Sequence, residues 1–251
     1  MRFLCFQRGK YKSGEPGERY ITPIVKTKGR KYGPVIETQV LGRKRSILVT
    51  GAHDSGKTRI LERLHAEERS IWNKSTDHRA IYLGALRPLG AWSDCEHVRD
   101  WWEARAAKVS DSEAGTAKES ETRPWSKLPP WERAEKLPLY LSETGAVLFL
   151  DDAHKLAGRK LQIARACVLA ARVWVVAASS EARLPPNLRQ VILRCDPQLV
   201  RLDSDVAYDA TNLLTWALVC ALLAAGLWEA SLVVAGLKTI AGSRQAAKQD
   251  A

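Results

Sequence analysis

The sequence predicts an α/β fold in which a parallel sheet is flanked by helices. Two observations predict this class: short apolar runs alternate with helix-length stretches, and a glycine-rich loop joins the first buried run to a helix. A basic N-terminal extension and a hydrophobic C-terminal helix complete the expected architecture. The expected divisions are therefore 1–45, 46–200, 212–237 and a short polar tail at 238–251.

The most specific pattern in the chain is an octapeptide that satisfies every position of G-x-x-x-x-G-K-[ST] and follows a strand-like run at 46–50. Glycines at both ends let backbone N–H groups surround phosphate oxygens, and the helix predicted over 57–67 directs its positive dipole end at the same anion. The alternative is a glycine turn that fits the pattern by chance. The predicted nucleotide-binding residues are Gly51, Ala52, His53, Asp54, Ser55, Gly56, Lys57 and Thr58.

Two of these residues have specific predicted roles. Lys57 is expected to reach the β- and γ-phosphates of ATP, and the Thr58 hydroxyl is expected to bind Mg²⁺.

A second pattern lies about ninety residues further along the chain. The apolar run at 146–150 is typical of a strand buried on both faces, and it ends in Asp151-Asp152-Ala153-His154. An acid at the carboxyl end of a central parallel strand lies beside the phosphate loop. Asp151 is therefore predicted to hold the Mg²⁺ ion, and Asp152 to orient or deprotonate the attacking water. The alternative is a solvated acidic turn after a strand.

Together these motifs resemble those of the extended AAA-type (AAA+-like) P-loop ATPases. The similarity is greatest to the branch whose second motif ends in Asp-Glu-Ala-His, which includes transposition regulators and secretion-associated ATPases, and it covers roughly residues 41–195. The resemblance implies a P-loop NTPase fold, ATP and Mg²⁺ as cofactors, and ATP hydrolysis. The sequence departs from the family at Asp152, where the family usually has a glutamate.

The resemblance also implies two further catalytic groups. The strand predicted over 173–178 ends where the family carries a polar sensor residue, and Ser179 matches that position, with Ser180 as a near-equal candidate. The alternative is a serine pair that caps a turn. Family members form oligomers in which an arginine from the neighbouring subunit completes the site. Arg183, Arg189 and Arg194 are candidates for this role, and Arg189 is preferred.

The remaining core elements follow from the apolar pattern. Strands are expected at 80–83 and 191–193, a helix at 155–171, and a mobile polar loop at 110–121. The insertion at 84–140 contains five of the nine tryptophans, which either pack onto the sheet or form an exposed surface for a partner.

Charge and cysteine content limit the choice of partners and compartment. The net charge is +11, and residues 1–45 hold twelve Lys or Arg against three acidic residues. The clusters at 26–31 and 43–45 suit the phosphates of nucleic acid or of anionic lipid, although a solvated basic face and a β-hairpin around Gly29 are alternatives. Five scattered cysteines favour free thiols in a reducing cytosol.

The C-terminal run at 212–237 is the third strong pattern. Its length of about 26 residues exceeds the roughly 20 that a membrane-spanning helix needs, and Trp216 and Trp228 are candidate interfacial anchors. Glu229 interrupts the run, and the basic residues that follow it favour a cytosolic tail. The alternative is a buried lid or oligomer helix.

Three functions fit these observations. The first is a membrane-anchored AAA-like ATPase that acts at the cytosolic face as a motor or switch on an unknown protein partner. The second is a soluble, DNA-associated ATPase of the transposition or DNA-processing type. The third is a nucleotide-binding scaffold that hydrolyses little ATP.

Overall fold

The computed structural model describes residues 2–9, 20–28, 34–72, 79–111, 123–202, 218–222 and 224–226. The chain divides into two compact units, Met1–Ser204 and Asp205–Ala251.

The first unit contains two sheets. An antiparallel sheet is formed by β1 (Arg2–Gly9), β2 (Tyr20–Lys28) and β3 (Val35–Val40), in that order. A parallel sheet is formed by β4 (Ile47–Gly51), β5 (Ile81–Gly84), β6 (Leu148–Asp151), β7 (Trp174–Ala178) and β8 (Gln198–Leu202). Its order is β5-β6-β7-β4-β8, and every neighbouring pair is parallel. The predicted parallel α/β architecture is confirmed.

The helices connect the strands of the parallel sheet. They are α1 (Lys57–Ala66), α2 (Glu68–Ile71), α3 (Leu89–Trp92), α4 (Glu96–Asp111), α5 (Pro130–Glu135), α6 (Leu137–Thr144), α7 (Gly158–Ala170) and α8 (Pro186–Arg194). Two 3₁₀ turns lie at Trp125–Lys127 and Ala153–Lys155.

The parallel sheet is buried on both faces because side chains alternate along each strand. On one face, Ile47, Val49 and Phe149 pack with apolar residues of α1, α2 and the antiparallel sheet. On the other face, Leu48 and Leu148 pack with apolar residues of α4, α6, α7 and α8. The predicted helical layers on both faces are therefore confirmed.

The prediction of a strand at 191–193 is wrong, since these residues lie inside α8. Leu188 and Ile192 are buried at a spacing of four, which is the period of a helix face, whereas Leu193 is 39% exposed. Pro186 occupies the first turn of α8, where its missing N–H has no helical partner. The fifth strand of the parallel sheet is β8.

The helix predicted from 155 also begins later than expected. Residues 153–155 form a 3₁₀ turn, and α7 begins at Gly158, which has a φ of 56°. The polar stretch expected as a mobile loop at 110–121 lies outside the described residues from 112 onward, and its first two residues end α4.

Most tryptophans of the 84–140 insertion pack against the sheet. Trp92, Trp102 and Trp125 are buried within the core that covers one sheet face, and the indole N–H of Trp92 donates to the Gly84 carbonyl at 2.9 Å. Trp131 is 44% exposed and lies under the Arg159 guanidinium, 4.2 Å from its ring centroid. The packing alternative is therefore correct for three of these side chains.

The basic N-terminal segment is a folded layer that covers the edge of the parallel sheet at β8. Gln39 Nε2 donates to the Leu199 carbonyl at 2.9 Å, and Arg2 donates to the Arg201 carbonyl at 2.5 Å. Gln198 of β8 also contacts this layer. Its Oε1 accepts from the Gly42 N–H at 2.9 Å, and its Nε2 donates to the Val40 carbonyl at 2.5 Å. These bonds satisfy backbone groups that an open edge strand would leave unpaired.

Most of the predicted membrane segment at 212–237, and all of the polar tail at 238–251, lie outside the described residues. Within that run, residues 218–222 and 224 are helical, and Leu218 is 50% exposed. Among the residues that the structure describes, no helix has both the length and the apolar composition needed to cross a bilayer.

Candidate functional site

The predicted phosphate loop, Gly51–Thr58, joins β4 to α1 at the carboxyl edge of the parallel sheet, and we call it the 51–58 loop. A Cβ atom at Gly51 would lie 2.6 Å from both the Leu202 carbonyl oxygen and Ser55 Oγ, so only glycine fits there. Gly56 has a φ of 84° immediately before α1, a conformation that glycine adopts without steric cost. Glycine is therefore needed at 51 and at 56 for two different structural reasons.

Lys57 is the first residue of α1 and is buried, with 7% of its surface exposed. Its Nζ donates to the Gly51 carbonyl at 2.8 Å and to the Ala52 carbonyl at 2.6 Å. Burial lowers the pKa of Lys57, and the negative charges of Asp152 and Asp151 partly oppose that shift. The ammonium group is thus held beside the loop and within the field of both acids.

The remaining loop residues are mostly open to solvent. Ala52, His53, Asp54 and Thr58 are exposed, and His53 Nδ1 lies 3.0 Å from Asp54 Oδ2. Asp54 has a φ of 60°, which aspartate tolerates better than most residues. These exposed groups leave the loop accessible to a ligand from solvent.

A cleft of about 580 Å³ opens on one side of the loop. The residues that line it are His53, Asp54, Gly56, Lys57, Thr58, Arg59, Glu62, Asp152 and Lys155. The structure therefore brings the lysine and threonine of the first motif together with an acid of the second, across about ninety residues of sequence.

Asp151 ends β6 and is buried, and both of its carboxylate oxygens accept hydrogen bonds. The Asp152 N–H donates to Oδ1 at 2.9 Å, and the Tyr82 hydroxyl donates to Oδ2 at 3.2 Å. Burial, followed by the charge of Asp151, raises the pKa of Tyr82 and keeps its hydroxyl protonated as a donor. Asp151 is therefore fixed in orientation by its own chain and by the neighbouring strand.

Asp152 lies at the turn that follows β6, with a φ of 53° and a ψ of 37°. Its Oδ2 accepts from Lys155 Nζ at 2.7 Å. Unlike Asp151, it is among the residues that line the cleft. The two acids thus separate into one buried and hydrogen-bonded carboxylate and one that faces the cleft.

Ser179 follows β7, which lies between the strands of the two motifs. The Gly51 N–H donates to the Ser179 carbonyl at 3.3 Å, and the Ser179 N–H donates to His154 Nδ1 at 3.3 Å. Its Oγ is buried and has no hydrogen-bond partner in the described part of the chain. Ser180 Oγ instead accepts from the Arg183 N–H at 3.3 Å, so the turn-capping alternative describes Ser180.

Arg189 lies on α8 and lines a second cavity, of about 630 Å³, which is also bordered by the start of the 51–58 loop. Gly51, Ala52, Ser179 and Ser180 contribute to the wall of this cavity, as does Arg201. Arg183 and Arg194 line neither of the two cavities beside the loop. The structure therefore distinguishes Arg189 from the other two candidate arginines, while its role in a neighbouring subunit stays a prediction.

The predicted Mg²⁺ residues, Thr58 and Asp151, each carry a side-chain oxygen of the kind that binds this ion. Mg²⁺ is usually held by one or two protein oxygen groups, with the remaining positions filled by substrate phosphates and water. Among the described residues, no group of three or more His, Cys, Asp or Glu side chains could hold a metal ion. Thr58 lines the cleft whereas Asp151 does not, so the binding of Mg²⁺ by these two residues stays a prediction.

Sequence reasoning missed three side chains of this site. Tyr82 holds Asp151 and Lys155 pairs with Asp152, while the ring of His154 accepts the Ser179 N–H. Burial lowers the pKa of His154, which favours the neutral ring that can accept at Nδ1. The spacing of three between Asp152 and Lys155 is the one local signal that could have indicated a contact, whereas Tyr82 required the strand register.

No protein-family model and no curated protein matches this sequence. Among solved structures, the chain is similar to the Thermotoga maritima RuvB Holliday junction branch migration motor, with 14% sequence identity and a TM-score of 0.30. The match covers 64% of this chain and 38% of that chain, so this chain spans well under half the length of the matched structure. A similarity at this level carries no inference about activity or partners.

Proposed function

We propose that this chain binds ATP with Mg²⁺ at the 51–58 loop and hydrolyses it. The observation that supports this most is the shared cleft, in which Lys57 and Thr58 lie with Asp152 at the carboxyl edge of a parallel sheet. Ligands of open α/β sheets bind at this edge. The 51–58 loop supplies backbone N–H groups for phosphate oxygens, and the N-terminus of α1 adds its positive dipole end.

The roles of the side chains follow from their chemistry. Lys57 provides the positive charge against the β- and γ-phosphates, and Thr58 and Asp151 would hold Mg²⁺, which would neutralise charge on those phosphates. Asp152 orients the attacking water and accepts its proton, and the Ser179 hydroxyl provides a polar contact near the terminal phosphate. Tyr82 keeps Asp151 in its orientation through the hydrogen bond to Oδ2.

Replacement of Lys57 tests nucleotide binding. Lys57→Ala should weaken ATP binding by roughly 30-fold or more, because a charged donor to the phosphates is lost. Lys160→Ala is a matched control, since Lys160 also donates to two backbone carbonyls, those of Ala85 and Arg87, and lies outside the cleft. Isothermal titration with Mg²⁺-ATP measures both. Equal ATP affinity in the two variants would contradict the assignment of the 51–58 loop.

Replacement of Asp152 separates binding from hydrolysis. Asp152→Asn should bind ATP with nearly unchanged affinity and hydrolyse it roughly 100-fold more slowly, because the amide cannot accept a proton. Phosphate release under single-turnover conditions measures the chemical step. A variant that keeps full turnover would remove Asp152 from the mechanism, and negligible turnover in the parent protein would support the scaffold alternative.

The chain's partners and location are part of the same proposal. We infer that it works as a homo-oligomer at the cytoplasmic face of a membrane, anchored through 212–237, as a motor or switch on a protein partner. The apolar run of the sequence supports the anchor. The DNA-associated alternative is favoured by the basic clusters of the N-terminal segment, and DNA binding that falls steeply with rising salt would support it.

A further inference from the structure

Lys155 occupies a short turn that is fixed at both ends. Its own N–H donates to the Asp152 carbonyl at 2.8 Å, and Ala153 is fully buried beneath the turn. His154 ties the same turn to the end of β7 by accepting the Ser179 N–H. The backbone that carries Lys155 is therefore attached to two strands of the sheet.

Asp152 has a left-handed backbone, and the turn that follows it brings the side chains of Asp152 and Lys155 together. Lys155 Nζ lies 2.7 Å from Asp152 Oδ2, and both residues line the cleft that contains Lys57. The side chain of Lys155 is 36% exposed, so its ammonium group faces the cleft rather than the core. Two ammonium groups from different loops thus border the same cleft.

The charges around the cleft explain what this second ammonium can do. Three acidic residues line the cleft, Asp54, Glu62 and Asp152, and three basic ones, Lys57, Arg59 and Lys155. Acidic groups repel an anionic phosphate and basic groups attract it. Without Lys155, the lining would therefore carry a net negative charge towards an anionic ligand.

We propose that Lys155 is a catalytic residue for the proposed ATP hydrolysis, on which this role depends. Its ammonium group binds the terminal phosphate within the same subunit, opposite Lys57. In that step the water oxygen bonds to the γ-phosphorus, and the bridging P–O bond breaks with its electron pair going to ADP. The water proton passes to Asp152. Lys155 stabilises the negative charge on the γ-phosphate oxygens while these bonds change, as a positioned cation does at a developing anion.

This role differs from that of a residue that only holds Asp152. A positioning residue would affect hydrolysis through the Asp152 carboxylate and would leave nucleotide preference unchanged. A phosphate contact distinguishes ATP from ADP even when Asp152 cannot act as a base. The preference for ATP over ADP in an Asp152→Asn background therefore separates the two roles.

The experiment compares Mg²⁺-ATP and Mg²⁺-ADP affinities by isothermal titration for the full chain with Asp152→Asn, alone and combined with Lys155→Met. Adding Lys155→Met should weaken ATP binding about tenfold while the ADP affinity changes less than about twofold. In the parent background, Lys155→Met should lower kcat roughly 100-fold, and Lys155→Arg should restore most of it. Lys160→Met serves as the control and should change neither affinity nor kcat.

Two results would overturn the inference. One is an unchanged ratio of ATP to ADP affinity, whether or not both nucleotides bind more weakly, which would make Lys155 at most a positioning residue for Asp152. The other is full kcat in Lys155→Met. Thermal unfolding checks that the variants fold, and Lys155→Gln replaces Lys155→Met if that variant does not. If Asp152→Asn alone binds neither nucleotide, the proposed function itself fails.

Discussion

Asp152 combines a chemical role with an unusual backbone conformation. Its φ of 53° lies in the left-handed region, which aspartate adopts more readily than glutamate because its short polar side chain can bond locally. The bond from Lys155 Nζ is such a local contact. The backbone at this position therefore gives a physical reason for an aspartate. The AAA+-like ATPases that the sequence resembles usually have a glutamate there.

Glu68 carries a testable pH dependence that is unrelated to nucleotide. Its buried side chain accepts from the Ala80 N–H at 2.7 Å. Burial raises the pKa of Glu68, and the hydrogen bond from Ala80 only partly opposes this shift. The folded state therefore holds the proton more tightly than the unfolded chain, and the stability linked to it is lost as pH rises through the folded pKa.

Glu68→Gln should remove this dependence and keep the acceptor for Ala80. Relative to the parent, its free energy of unfolding should rise as pH increases from the ordinary glutamate pKa of about 4 towards the raised folded pKa, because the parent must ionise a buried carboxyl over that interval. Glu68→Ala, which leaves the Ala80 N–H without its acceptor, should cost about 1–3 kcal/mol. Urea unfolding at several pH values measures all three proteins. A constant difference between Glu68→Gln and the parent would contradict the expectation.

At the scale of elements, the contact between the N-terminal layer and β8 depends on one side chain more than on its neighbours. Gln198 makes two hydrogen bonds, one to Val40 at the end of β3 and one to Gly42 in the segment that follows. The nearby pair between Arg45 and Asp196 is 2.5 Å long but has side chains that are 58% and 89% exposed. Solvent screens such a pair, so it contributes little.

Gln198→Ala should therefore destabilise the first unit by about 1–3 kcal/mol, since two hydrogen bonds between backbone and side chain are lost. Arg45→Ala, the matched control on the same contact, should cost less than about 1 kcal/mol. Urea unfolding followed by tryptophan fluorescence measures both changes. Equal losses in the two variants would show that the amide bonds do not hold the layer to the sheet edge.

At the scale of the whole molecule, the oligomer prediction can be tested by mixing inactive variants. Arg189→Ala lacks the proposed arginine but keeps Asp152, whereas Asp152→Asn lacks the base but keeps Arg189. If Arg189 completes the site of a neighbouring subunit, the mixture should hydrolyse ATP faster than the sum of its parts, and the parent's specific activity should rise with protein concentration. Arg165→Ala is the control, since Arg165 is an exposed residue of α7 that lines neither cavity and is not one of the candidate arginines.

Hydrolysis that is independent of concentration, with no gain on mixing, would contradict a role for Arg189 in a neighbouring subunit. Any role of Arg189 would then be exerted within its own chain, in the cavity that it lines with Gly51 and Ser179.

The membrane prediction concerns the second unit. Residues 212–237 should anchor a soluble reporter to membranes, because a helix of this length satisfies its own backbone hydrogen bonds in hydrocarbon. Arginine at both Leu218 and Leu222 should release the reporter, at a cost of roughly 3 kcal/mol per central charge, whereas alanine at both should not. Sedimentation with and without detergent measures attachment. A fusion that stays in solution without detergent would favour the lid or oligomer-helix alternative.

Short-range patterns were sufficient to predict the parallel sheet, the 51–58 loop and the acidic end of β6. Buried parallel strands appear as continuous apolar runs, and the loop requires glycine at 51 for close approach and at 56 for a positive φ. The same patterns misassigned 191–193, since three consecutive apolar residues fit a strand and a buried helix face equally well.

The side chains that meet across the sheet could be identified only in the folded chain. Strand order places Ser179 between the two motifs, the register of β5 and β6 brings Tyr82 to Asp151, and the turn after β6 brings Lys155 to Asp152. The folded chain also showed the basic N-terminal segment to be a layer over β8. These contacts join residues far apart in sequence or depend on backbone conformation, so no local pattern specifies them.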